Sequence, residues 1–293
     1  MNNTFVSIII PTYNDWRRLT LCLDALLLQS YPQDLFEVIV VNNNPSDKMP
    51  VEFSIPSNCI IIDEIKAGSY AARNAALKLA TGEIIGFTDS DCIPDKFWIE
   101  NAVNEFRTNP DVKRIGGAIK IFSEHEKPSL VELHDMVFAF KQESIVKSGF
   151  AVTGNMFTYK YIFDNVGYFD DTLKSGGDSQ WGLKAHKAGY PIIYGRQVIV
   201  NHPARDSIRE LIVKAKRVGK GIAGFKSSQN MSFTLRLKIL YFAIKPKASI
   251  YREIKEVLPH LSVIKAFQLT LIRHYIVFVQ NITMLINVVK NRV

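Results

Sequence analysis

Gly82-Glu83-Ile84-Ile85-Gly86-Phe87-Thr88-Asp89-Ser90-Asp91-Cys92 decides the fold. The apolar run Ile84–Phe87 is short, β-branched and aromatic, and a glycine precedes it, which predicts a buried strand. Two carboxylates one residue apart follow it. On an extended chain Asp89 and Asp91 point the same way and Ser90 points away. Like charges on one side repel unless a cation lies between them. Mg²⁺ is held by one or two carboxylates plus substrate phosphates, so a divalent ion is the natural partner. The plain alternative is a solvated acidic turn. What favours a site is the position, because open α/β sheets bind ligands at the carboxyl ends of their strands.

Outward from this stretch, strand and helix alternate. Val6–Ile10 is a predicted strand stopped by Pro11. Asn14 or Asp15 is placed to cap a helix from Trp16 to Gln29. Strands are predicted over 36–41, which ends in Asn42-Asn43-Asn44-Pro45, and over 59–62. Gly68-Ser69 opens a helix to Ala80. Near-continuous apolar strands between helices predict a mostly parallel sheet covered on both faces. Beyond Asp91, a helix from about Pro94 to Arg107, a strand over 114–122 and a mostly helical stretch over 129–147 are expected. Phe150–Tyr159 reads as a strand broken by Thr153-Gly154-Asn155-Met156, and such a break often lies beside a ligand. Gly176-Gly177-Asp178 opens a helix, and short strands are expected over 191–194 and 198–200, ending at His202.

The 293 residues and 47% hydrophobic content allow one large domain with an appendage. Charge divides the chain. From Arg205 to Val293 there are 17 Lys and Arg against 4 Asp and Glu, a net of +13, which leaves −5 on the remainder. This predicts a body over 1–225 and a helical, basic, apolar extension over 226–293 that faces an anionic surface. No nucleic-acid-binding signature accompanies the charge, so nucleic acid is not expected as a partner. Cys22, Cys59 and Cys92 have no metal-type spacing and read as buried thiols of a reducing compartment. Met1-Asn2-Asn3-Thr4 lacks the basic start of a signal peptide. No run of about 20 uninterrupted apolar residues predicts a clean spanning helix. Leu261, Ile264, Phe267, Leu271, Tyr275 and Phe278 follow helical spacing with Lys265 and Arg273 among them. That pattern fits peripheral contact with a membrane surface, or a helix packed on protein.

Four segments together resemble family 2 glycosyltransferases of the GT-A (Rossmann-like) fold. They are Ser7-Ile8-Ile9-Ile10-Pro11-Thr12-Tyr13-Asn14, the G-x-x-x-A-R-N segment from Gly68 to Asn74, Asp89-Ser90-Asp91, and Gly177-Asp178. They occur in family order over roughly residues 5–205. The resemblance implies transfer of a sugar, with inversion, from a nucleoside-diphosphate sugar (a UDP-sugar first) to a glycan or lipid-linked acceptor. It implies Mg²⁺ or Mn²⁺, and the basic, apolar C-terminal segment adds the expectation of a peripheral place on the cytoplasmic face of a membrane. Pro11, Thr12, Tyr13, Asn14, Asn42, Gly68, Arg73, Asn74, Asp89 and Ser90 would line the nucleotide sugar. Asp91, with Asp89 and His202, would hold the metal, and Asp178 would be the general base. Asn155 and Trp181 would touch the acceptor.

Each assignment has a plain counterpart. Asp178 after glycines is placed for an N-cap, Trp181 for core, and His202 for packing. Arg205, Lys216 and Arg217 could neutralise diphosphate or form a solvated face. The sequence departs from the family twice: Asn42-Asn43 stands where an acidic pair usually ends the second strand, and Gly177 replaces an acid. An amide oxygen still accepts a hydrogen bond from a uracil N–H. The departures keep open a non-catalytic nucleotide-sugar-binding scaffold. A nucleotidyltransferase would need a glycine-rich basic loop after the first strand, and Pro11-Thr12-Tyr13-Asn14 is not one.

Overall fold

A computed structural model of the chain describes residues 4–226, 233–245 and 247–290; Met1–Asn3 and Ser232 lie outside them. The chain forms two compact units, Met1–Lys120 with Phe140–His202, and Ile121–Ala139 with Pro203–Val293. The sequence reading had divided the chain at 225.

The first unit carries β1 (Val6–Thr12), α1 (Trp16–Leu27), β2 (Phe36–Asn42), β3 (Cys59–Asp63), α2 (Ser69–Leu79), β4 (Ile84–Thr88), β5 (Ile93–Pro94) and α3 (Trp98–Thr108). β6 (Arg114–Phe122) runs on into the second unit, which begins with α4 (Leu130–Phe138). α5 (Gln142–Val146), β7 (Asn155–Tyr159), α6 (Tyr161–Val166), α7 (Gly177–Lys187) and β8 (Ile192–Pro203) complete the sheet unit. The eight strands order as β3-β2-β1-β4-β7-β6-β8-β5. β1 pairs in parallel with β2 and β4, and β2 with β3. β7 enters antiparallel between β4 and β6. The result is a mixed α/β sheet flanked by helices.

Alternation along the central strands explains their continuous apolarity. Ile8, Ile10, Val38 and Val40 pack on one face with Leu19, Leu23 and Trp98. Ile9, Ile39, Val41 and Phe87 pack on the other with Tyr70, Leu77 and Phe163. Burying each such side chain contributes about 1.5–3 kcal/mol. Gly86 lies at the centre because a Cβ there would sit 2.6 Å from Phe157 and 2.7 Å from Ile8.

Two boundaries differ from expectation. The helical stretch over 129–147 is interrupted at Phe140, whose φ of 46° is left-handed. The strand expected from Phe150 starts only at Asn155, because Gln142 holds the backbone N–H and C=O of Val152 in a loop. The two short strands expected over 191–200 are one, β8.

The polar break at Asn155 is structural. Its side chain is fully buried, donates to Ala118 O and Val198 O at 2.8 Å each, and accepts from Trp98 Nε1 at 2.9 Å. It ties β6, β7, β8 and α3 together and offers nothing to an acceptor, which corrects the sequence reading.

The second unit adds α8 (Ile208–Lys226), α9 (Phe233–Ile244), α10 (Ala248–Val257) and α11 (Val263–Lys290). α11 packs Ala266 and Leu269 against Leu133 and Ile254, and Ile276 and Val279 against Leu211 and Ala215. Ile264, Phe267, Leu271 and Tyr275 form an exposed row on its other side. Among the described residues, Val263–Val289 is long and apolar enough to cross a membrane by length and composition. Gln280, Asn281 and Asn287 interrupt it, so it is not an uninterrupted apolar run.

Replacing Asn155 with Leu strands an indole N–H and two carbonyls. Buried unpaired groups cost about 1–3 kcal/mol each. Urea unfolding should show a loss of about 3 kcal/mol; a loss below about 1 kcal/mol would remove Asn155 from this role.

Candidate active site

α2 positions the site. It opens at Gly68, whose φ of 135° suits glycine and whose N–H donates to Asn43 Oδ1 at 2.6 Å. Tyr70 and Arg73, three residues apart, share a helix face. Arg73 Nη2 meets Asp89 Oδ1 at 2.5 Å, with the arginine side chain 4% exposed and the aspartate 35%. The Tyr70 hydroxyl donates to Asp178 Oδ1 at 3.2 Å. Burial raises the Asp178 carboxyl above its ordinary range, and the Arg73 guanidinium works against that rise. Asp178 is not the cap of α7; Gly176 is, in the left-handed region at φ 86°. The carboxylate instead accepts from the Ser179 N–H at 3.0 Å and from Tyr70.

Asp89–Cys92 is a tight turn closed by Cys92 N–H to Asp89 O at 3.0 Å. The chain is therefore not extended through the two aspartates, and they serve different partners. Asp89 faces Arg73, and Asp91 faces His202, whose Nε2 lies 3.4 Å from Asp91 Oδ2. Burial pushes the Asp91 carboxyl up; His202 pulls it down and Asp89 adds to the rise. A half-buried carboxylate beside a buried imidazole is a donor set that suits a divalent cation. The Cys92 sulfur belongs to the same cluster, with one donor atom each from Asp91, Cys92 and His202 within 4.8 Å of one another. Burial, reinforced by Asp91, raises its thiol well above the ordinary range. Asp91 and His202 supply the oxygen and imidazole donors that could hold a divalent cation, with the Cys92 sulfur beside them.

The carboxyl ends of β1, β2 and β3 align in register as Thr12, Asn42 and Asp63. Thr12 Oγ1 and Arg73 Nε are buried without a hydrogen-bond partner. Tyr13 is 62% exposed beside them. Asn42 donates to Asp63 Oδ1 at 3.0 Å and accepts from Asn44 N–H at 3.1 Å. Asn43 donates to Glu64 O and Lys66 O at 2.9 Å each, so it shapes the loop before α2. Asn14, at φ 55°, accepts from Asn44 Nδ2. Pro11 lies within β1, one residue before its end at Thr12, so the strand runs past the proline expected to stop it, and Ser90 is buried within the turn.

Other expected residues lie elsewhere or are already engaged. Asn74 exchanges two hydrogen bonds with the Phe169 backbone and so holds a loop. Trp181 is 2% exposed, stacks on Phe163 at 4.4 Å and donates to Gly167 O, which leaves no face for an acceptor. Arg205 pairs with Asp135 in the second unit, and Lys216 and Arg217 are exposed on α8. Tyr70 and Asp63 were missed. Tyr70 had a signal, its spacing of three from Arg73; Asp63 had none until strand register was known. Gly177 also gains a reason: a Cβ there would lie 2.8 Å from the Tyr70 ring.

The comparisons with known proteins agree with this geometry. A model of glycosyl transferase family 2 matches residues 7–167. The chain is 37% identical over 223 residues to the glycosyltransferase AglE of Haloferax volcanii, covering 74% of this chain and 72% of that one. It is 22% identical over 258 residues to a Methanococcus voltae dolichyl N-acetylglucosaminyl phosphate diacetamidodideoxyglucuronosyltransferase, covering 82% and 80%. Among solved structures, a Pyrobaculum calidifontis mannosyltransferase in complex with GDP-Man and Mn²⁺ matches with a TM-score of 0.60 at 19% identity, over 99% of this chain and 87% of that one. Staphylococcus aureus TarS residues 1–349 with UDP-GlcNAc matches at 0.56 and 18%, over 96% and 90%. The sheet, the aligned strand ends and these matches agree: the chain belongs to glycosyl transferase family 2 and has the GT-A fold.

Proposed function

We propose that the protein is an inverting, metal-dependent glycosyltransferase that moves a sugar from a nucleoside diphosphate to a hydroxyl of a lipid-linked or glycan acceptor. The observation that carries this is one helix, α2, whose buried Arg73 pairs with Asp89 and whose Tyr70 hydroxyl bonds Asp178. Thr12, Tyr13 and the Asn42–Asp63 pair would line the nucleotide, and Arg73 and Asp89 would fix its ribose and phosphates. Asp91 and His202 would hold a divalent cation, which would supply Lewis-acid neutralisation of diphosphate charge. Asp178 would take the proton of the attacking hydroxyl, and its raised pKa brings it nearer the working pH of a general base. The Tyr70 hydroxyl keeps that carboxylate in one orientation. One base and direct displacement give inversion, by the logic that governs inverting glycosidases. The Gly177 departure, which favoured a scaffold, has a packing cause in Tyr70.

The membrane part of the reading rests on α11. A helix whose inner side is buried in protein and whose outer row is apolar fits in-plane attachment. Relatives named for dolichyl phosphate substrates support an acceptor at a lipid surface. Three buried free thiols support the cytoplasmic face.

Thermal midpoints measured with a panel of nucleoside diphosphates and Mn²⁺ or Mg²⁺ should rise for one nucleotide, since a ligand of the native state stabilises by mass action. The rise should vanish with chelator and in Asp91→Ala. No rise with any nucleotide, in folded protein, would remove the donor site.

Asp178→Asn should lower the transfer rate by about 10²–10⁴-fold. It should also raise stability. A folded-state carboxyl above its unfolded value binds its proton more tightly when folded, so its ionised form costs stability. That cost sets in as pH rises from the ordinary 3.8 through the raised value and persists at neutral pH. The midpoint of Asp178→Asn should therefore exceed wild type at neutral pH and match it below 3.8. A lower midpoint at neutral pH would show that the carboxylate is structural.

A further inference from the structure

Phe140 holds a backbone conformation that its side chain disfavours. Among the described residues, Asn14 and Phe140 are the non-glycines at positive φ, 55° and 46°. Asparagine tolerates the left-handed region, whereas a bulky side chain there is strained. The surroundings impose that strain. Gln142 is buried, and its backbone N–H donates to Phe140 O at 2.7 Å. Its side-chain amide is fixed in turn. It donates to Val152 O at 3.3 Å and Asn155 O at 2.8 Å, and it accepts from the Val152 N–H at 3.0 Å. Lys141, between the two, has φ −71° and ψ 62°, the centre of an inverse γ-turn. A buried glutamine thus pins the turn, and the turn sets the direction in which the Phe140 side chain leaves the chain.

That direction leads to His202. The Phe140 ring centroid lies 4.8 Å from that of the imidazole, with 46° between the planes. Phe140 opens the segment Phe140–His202 of the first unit and His202 closes it, so the contact joins the two ends of that segment. The His202 backbone is placed by the sheet. β8 pairs with β5 through Asn201 and Ile93, directly after the Asp89–Cys92 turn. Strand pairing fixes the backbone but not the ring, because the torsion that turns an imidazole about its Cβ–Cγ bond has broad minima. An aromatic ring against the imidazole narrows that rotation. Core burial does not account for Phe140, which is half-buried.

We propose that Phe140 is a positioning residue for the cation site: its strained backbone aims the ring at His202, and the ring holds Nε2 toward Asp91 Oδ2, 3.4 Å away. The proposal rests on the reading that Asp91 and His202 hold a divalent cation. With two protein donors, the orientation of either one is felt directly in the affinity. Removing a group that orients a ligand histidine from outside the ligand set changes metal affinity about 10–100-fold.

Titration of the full chain with Mn²⁺ alone, followed by the electron paramagnetic resonance signal of the free ion, tests it. Phe140→Ala should weaken Mn²⁺ binding about tenfold or more, and Phe140→Tyr, which keeps the ring, should restore wild-type affinity. Phe140→Gly also removes the ring but suits the left-handed backbone. It should weaken binding as Phe140→Ala does, and it serves if the alanine variant fails to fold. In chelator its thermal midpoint should be no lower than that of Phe140→Ala; a lower one overturns the part played by the strained backbone. Wild-type affinity in Phe140→Ala and Phe140→Gly, with binding lost in Asp91→Ala, overturns the proposal and leaves the cation site standing. Equal weakening in Phe140→Tyr and Phe140→Ala also overturns it, since the ring would then not be the cause. Absence of saturable Mn²⁺ binding in wild type, or undiminished binding in Asp91→Ala, removes the cation reading and this proposal with it.

Discussion

One buried cation organises the catalytic unit. A guanidinium cannot be neutralised by losing its proton in a protein, so burying it commits the structure to supplying acceptors. Arg73 is 4% exposed, and the carboxylate it touches, Asp89, begins the turn after β4. It also lowers the carboxyl of Asp178, at the start of α7. Arg73 thereby joins α2 to the turn after β4, and Tyr70 on the same helix face joins α2 to the start of α7. Chemistry that needs a nucleotide, a cation and a base in line depends on such fixing, because rate follows geometry steeply.

The sheet sets where that fixing happens. Parallel β1, β2, β3 and β4 end on one edge, and antiparallel β7 begins there, with Thr88 opposite Asn155. Gly154 then sits against Asp89; a Cβ on it would be 3.3 Å from Asp89 Oδ2. Arg114, fully buried, closes the unit from behind by donating to the carbonyls of Gly149, Gly182 and Tyr190. The aligned strand ends are thus backed by a rigid layer, as a preorganised site needs.

Much of this was legible in the residues. Continuous apolar strands announced burial on both faces, and the alternation of Ile8 with Ile9 between two cores is the reason. Asp89 and Asp91 stood out as carboxylates at a strand's carboxyl end and His202 by its place after a strand, whereas Arg73, inside α2, came from the family resemblance alone. What misled was polarity with a hidden partner. Asn155 resembles a ligand contact until the carbonyls of Ala118 and Val198 are seen beside it. Trp181 resembles a sugar platform until Phe163 covers its face. Asp63 gave no signal, since its meaning comes from register with Asn42. The extended geometry assumed for Asp89–Asp91 failed because a hydrogen bond four residues long turned the chain.

The contact between Gly177 and Tyr70 couples two positions. A Cβ at 177 would lie 2.8 Å from the Tyr70 ring, so a side chain there requires the ring to move. The same ring carries the hydroxyl that donates to Asp178. A bulkier residue at 177 therefore disturbs, through the phenol, the hydrogen bond that orients the carboxylate next to it in the chain.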